Sequence, residues 1–81
     1  MPGVKRLPRS VWLDSTVKIE IHYDPPAVIA AGFNKNAGGY WDAENHAIHI
    51  DRTLSNQRKW KVLRHELVHA CIDTDTAIEG I

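Results

Sequence analysis

Eighty-one residues suit one small domain near the lower limit for unaided folding and leave no room for a second core of ordinary size. Ten bases balance ten acids, so no overall field draws the chain to nucleic acid or to a membrane surface. A hydrophobic share of 43% with three tryptophans excludes global disorder. A chain this short commonly draws on a metal, a partner or a second copy of itself, so homo-oligomerisation enters as an expectation. Cys71 is the only cysteine, which rules out an internal disulfide and leans towards a reducing compartment. Residues 1–16 hold no apolar run of signal-peptide length, and no run reaches transmembrane length. The expected location is cytoplasmic.

Residues 1–15 read as a basic N-terminal arm carrying Lys5, Arg6 and Arg9, and residues 16–81 as a single domain. Val11-Trp12-Leu13 is an apolar patch within that arm, suited to docking on the core. Over Thr16 to Tyr23 the pattern alternates: Val17, Ile19, Ile21 and Tyr23 face one way, Lys18, Glu20 and His22 the other. Period two with β-branched residues predicts a half-buried strand with His22 on its surface. Asp24-Pro25-Pro26 then reads as a helix start, Asp24 capping a short helix over 25–31 that Gly32 ends; a strand is the alternative. Phe33 to Gly39, with two asparagines and two glycines besides Phe33, Lys35 and Ala37, carries a loop signature.

Gly39-Tyr40-Trp41 and Ala47-Ile48-His49-Ile50 are short strand-like runs, with Asp42-Ala43-Glu44-Asn45 as the hairpin turn between them. His46 and His49 are three apart and point to opposite faces of an extended strand, so they cannot chelate one ion together. Both read as surface or turn histidines. Thr53 or Ser55 caps the last helix, which extends to about Asp73. At 100° per residue Trp60, Leu63, Leu67, Ala70 and Cys71 form a core stripe. His65, Glu66 and His69 fall on roughly the opposite side, with Val62 and Asp73 alongside.

That last helix carries His65-Glu66-Leu67-Val68-His69, which fits H-E-x-x-H. Residues four apart lie on one helix face, one turn from each other, so two imidazoles there can grip one Zn²⁺ at roughly 2.0–2.1 Å each. Glu66, next to the first histidine, is placed to take a proton from a water that the metal activates.

Residues 38–73 resemble a zincin-type metallopeptidase core. The resemblance is carried by Gly38-Gly39-Tyr40-Trp41, by Ile48-His49-Ile50 and above all by Leu63-Arg64-His65-Glu66-Leu67-Val68-His69-Ala70. It is greatest to the small zinc peptidase-like proteins of phages and mobile elements. The resemblance implies that His65 and His69 bind zinc, that Glu66 is the general base, and that a strand near 46–50 forms the cleft edge, where a substrate adds as another strand. A catalytic zinc normally has three protein ligands and an open position. Some zincins read H-E-x-x-H-x-x-G-x-x-H or end in Asp; the terminal position here is Asp75, although Ile72 stands where that pattern has its turning glycine. Asp75 is the favoured third ligand, with Glu79 and a residue of another subunit as alternatives.

The expected fold is α+β, a small antiparallel or mixed sheet packed on a long C-terminal helix, with a core of Val17, Ile19, Ile21, Ile48, Ile50, Trp60, Leu63 and Leu67. The expected function is zinc-dependent hydrolysis of a peptide or protein substrate, with Tyr40, His46 and His49 as candidate oxyanion donors. The alternative is a non-catalytic, metal-stabilised protein-binding module.

Overall fold

The computed structural model describes residues 6–31 and 38–76. The fold is α+β: a mixed four-stranded sheet with a long C-terminal helix. The elements are β1 (Ser10–Leu13), β2 (Val17–Asp24), α1 (Pro26–Ala30), β3 (Gly39–Asp42), β4 (Ala47–Asp51) and α2 (Asn56–Thr74). The sheet order is β1-β2-β4-β3, with β2 and β4 parallel in the middle and an antiparallel partner on each flank. Gly32, read as the stop of the short helix, and residues 33–37 of the loop read over Phe33 to Gly39 lie outside the described residues, and Gly39 itself opens β3. No helix among the described residues is long and apolar enough to cross a membrane.

Alternation along β2 builds the core as expected. Ile19 and Ile21 are buried, whereas Lys18, Glu20 and His22 face out. Across the sheet Ile48 and Ile50 join them, and Leu63, Leu67 and Ala70 of α2 close the cluster. Val17 and Trp60 pack against it while only partly buried.

The arm expected over residues 1–15 is shorter than its composition suggests. Val11 and Leu13 are buried core residues of β1, and Trp12 between them stays exposed. Asp14 and Ser15 both take positive φ, the left-handed twist that a tight hairpin demands, and Thr16 N–H closes the turn on the Leu13 carbonyl at 3.0 Å. The segment before β1 is also tied down. Tyr23 donates its hydroxyl to the Pro8 carbonyl at 2.6 Å, and Ile21 N–H donates to the Arg9 carbonyl at 2.9 Å.

Burial pushes the Tyr23 hydroxyl up to about 12. The folded chain therefore favours the neutral phenol, and this contribution is complete below the ordinary tyrosine range. It is lost as pH rises from about 10 through about 12. Urea midpoints measured between pH 8 and 12 should fall over that window, and Tyr23→Phe should flatten the fall. At neutral pH the same variant should cost about 1 kcal/mol for the missing hydrogen bond.

The short helix α1 forms one residue later than expected and without Asp24 as its cap. Asp24 instead ends β2, and Pro25 stands at the N-cap with no side-chain bond. The β3–β4 turn is held by Asp42, whose carboxylate accepts from the Glu44 and Asn45 backbone N–H groups and from the Asn45 side chain. This Asx arrangement keeps the Asp42 carboxyl below its usual range, the Asn45 side chain contributing most.

Ser55 caps α2 by accepting from Arg58 N–H at 3.3 Å; Thr53 is engaged with Asp51 instead. The helix runs past Ile72 and stops at Asp75, which takes the left-handed conformation while Thr76 N–H donates back to Cys71 at 3.0 Å.

Helix α2 packs on β3 and β4, and Gly39 sets how closely it approaches. A Cβ there would lie 2.5 Å from the His49 carbonyl oxygen and 2.7 Å from Val62 Cγ1. Gly39→Ala should therefore push β3 away from α2 and cost about 1–3 kcal/mol, read as a lowered urea midpoint.

Candidate active site

His65 and His69 lie one turn apart on the exposed face of α2, four residues apart as the motif requires. Their Nε2 atoms are 3.2 Å apart and the rings are nearly perpendicular, at 78°. Two nitrogens each about 2.05 Å from one ion subtend an angle of about 100° at that separation, close to tetrahedral. The imidazole pair thus has the spacing of a zinc chelate.

Glu66 does not share the solvent-facing side of the helix with the two histidines. It is 3% exposed, among the buried residues Leu63, Leu67 and Ala70. Burial pushes its carboxyl up; the neighbouring His65 and His69 charges and the Trp41 backbone N–H pull the other way. The carboxylate therefore sits between the helix and strand β3, beside the histidines.

Strand β3 is the edge that matters. The expectation placed the cleft edge near 46–50, but β4 lies inside the sheet, bonded on both sides. Asp51 N–H donates to the Gly38 carbonyl at 2.7 Å, which fixes the phase of the β3–β4 ladder. By antiparallel alternation Tyr40 and Asp42 bond inward to β4, and the backbone groups of Gly39 and Trp41 point to the open edge. The Trp41 N–H facing Glu66 belongs to that outward set. Trp41 also ties the strand to the helix end, donating Nε1–H to Asp73 at 3.1 Å, and His46 stacks on its ring at 6.0 Å.

Two of the three candidate oxyanion donors are on the wrong side of the sheet. Tyr40 stacks on His49 at 4.8 Å, His22 stacks on His49 from the other side at 5.0 Å, and His49 Nδ1 meets Asp24 at 2.7 Å. Ile48 and Ile50, alternate to His49, are the residues that meet α2. Burial, then the Asp42 and Asp24 charges, raises the Tyr40 hydroxyl. Only His46, against Trp41, is on the helix side. The His22–His49 contact had no local signal, because the parallel register that pairs them joins β2 and β4 across an intervening helix and strand.

The expected third ligand is not brought to the pair. Asp75 is six residues beyond His69, about 9 Å along the axis by helical rise, and stands at the C-cap in the left-handed conformation. The helix continues through Ile72, where the turning glycine of the longer motif would have bent the chain towards the metal. Asp73 is occupied by Trp41. Among the described residues no third His, Cys, Asp or Glu joins His65 and His69 in a metal-holding group. Glu79, the alternative, lies outside the described residues.

No family model matches the chain, and no curated protein or solved structure matches it.

Proposed function

We propose that the chain is a zinc-dependent peptidase, its site lying between α2 and the open edge of β3. The observation that carries this reading is the pair of imidazole nitrogens at chelating separation beside a buried carboxylate facing an outward strand amide. His65 and His69 would hold the zinc, which when bound would supply Lewis acidity to a water and to the scissile carbonyl. The peptide lies along β3 as an added strand, bonding to the outward groups of Gly39 and to the Trp41 carbonyl, since the Trp41 N–H is already given to Glu66. Glu66 takes the proton of the attacking water as the carbon–oxygen bond forms. It delivers that proton to the amide nitrogen as the carbon–nitrogen bond breaks. A third ligand would have to come from outside the described residues, Glu79 being the alternative the sequence offers, or from a second copy. A single free thiol at Cys71 suits a reducing, cytoplasmic setting.

The open edge of β3 also favours a second reading, a metal-supported module that captures an extended peptide without cleaving it. Casein digestion by the zinc-reconstituted chain separates the two. Cleavage abolished by a chelator and restored by zinc supports the peptidase. Peptide binding with no cleavage under any metal supply leaves the binding module.

A further inference from the structure

A cleft of about 480 Å³ opens beside the histidine pair, lined among the described residues by Gln57, Arg58, Lys61, Val62 and His65. Arg58, Lys61, Val62, His65 and His69 follow one another at helical spacing on one side of α2, so the cleft continues the face that carries the imidazoles. Val62 is also the α2 residue that a Cβ on Gly39 would meet, at 2.7 Å, which puts the cleft alongside the start of β3. A peptide extended along the outward edge from Trp41 to Gly39 runs past the imidazoles and then over Arg58 and Lys61.

Both cations lack a carboxylate partner among the described residues: every ion pair there involves a histidine. Among the described residues neither is held in a network that an incoming group would have to break. A guanidinium and an ammonium converging on one cleft, with the Gln57 amide beside them, are suited to a carboxylate. Among the described lining residues Val62 is the apolar one, a surface for the stem of an acidic side chain.

Resting on the peptidase reading for the path of the peptide, we propose that this cleft is a specificity site for a substrate carboxylate. The carboxylate is supplied by an Asp or Glu side chain or by a free C-terminus. Arg58 and Lys61 are the groups that bind it.

The test measures binding, not turnover. The full Glu66→Gln chain, labelled with ¹⁵N, is titrated with acetylated, amidated alanine-based hexapeptides carrying Glu or Gln at each position in turn, and with the all-alanine peptide as free acid and as amide. At least one Glu peptide, or the free acid, should bind about tenfold more tightly than its neutral counterpart. Amide shifts should centre on residues 57–65, and the preference should weaken with salt. Preference in the Glu series assigns the site to a side chain; preference in the free acid alone assigns it to a chain end. Arg58→Ala combined with Lys61→Ala should erase the discrimination, and Lys61→Glu should lower it; Arg58 and Lys61 are exposed, so the core is not disturbed. Equal binding of charged and neutral peptides, or discrimination that survives the double variant, overturns the proposal. Casein cleavage by the unsubstituted chain is scored apart. Turnover without carboxylate preference overturns this site alone, and preference without turnover upholds the site and overturns the peptidase.

Discussion

Glu66→Gln should abolish measurable peptide hydrolysis while leaving the chain folded and its zinc bound. Gln keeps the length of the side chain and an oxygen to accept from the Trp41 N–H, so the packing around this 3% exposed position is conserved. What disappears is the ability to take a proton. A positioned general base contributes typically about 10²–10⁴ in rate, so kcat should fall by at least that much while KM stays within a few-fold. The split matters because Glu66 is not an outer-face residue whose replacement perturbs peptide binding. Its carboxylate lies under the edge strand, and the peptide-binding groups of β3 are main-chain atoms that the substitution leaves in place. The measurement is cleavage of a quenched fluorescent peptide with zinc content determined on the same sample. Loss of both activity and zinc would make Glu66 a structural support for the histidines. Full retention of activity would remove it from the chemistry altogether.

Much of this site was legible in the sequence, and the parts that were not share a physical cause. Local signals held: the alternation of β2, the hairpin turn between β3 and β4, Ser55 as one of the two caps offered, and a stripe whose Leu63, Leu67 and Ala70 are buried while Trp60 and Cys71 are partly so all follow from residues a few positions apart. Strand β1 was obscured because it is four residues long, flanked by bases and proline, and carries Trp12 outwards. The order of strands had no local signature. Parallel pairing of β2 with β4 puts β4 inside the sheet and makes β3 the edge, a decision taken by contacts between distant segments. That long-range choice reassigned Asp24 from helix cap to partner of His49, and it turned Tyr40 and His49 away from the helix. Glu66 illustrates the limit of a helical wheel. The wheel grouped it with the histidines, but strand β3 packs over that flank of α2, so neighbouring positions of one motif end in opposite environments.

His65→Ala should remove zinc from the protein and, with it, most of the protection that zinc gives against unfolding. One imidazole alone cannot reproduce a chelate whose two nitrogens stand 3.2 Å apart on a preformed helix. Mass spectrometry of the zinc-reconstituted parent at neutral pH should find about one zinc per chain, against a small fraction in His65→Ala and in His69→Ala. Zinc at a thousandfold excess over its dissociation constant stabilises the folded state by about 4 kcal/mol. For a domain of this size that corresponds to a shift in Tm on the order of 15–30 °C. EDTA should therefore lower the Tm of the parent by about that amount and leave both histidine variants unmoved. The acid variants then locate the third ligand. Asp75→Ala should keep its zinc, because Asp75 caps the helix beyond reach of the pair, whereas Glu79→Ala should weaken it if that ligand comes from the same chain. Zinc lost from Asp75→Ala would show that the end of α2 unwinds on metal binding. A parent that takes up no zinc and melts identically with EDTA would reduce the His65–His69 contact to a hydrogen bond between two surface imidazoles, and the peptidase reading would fall with it.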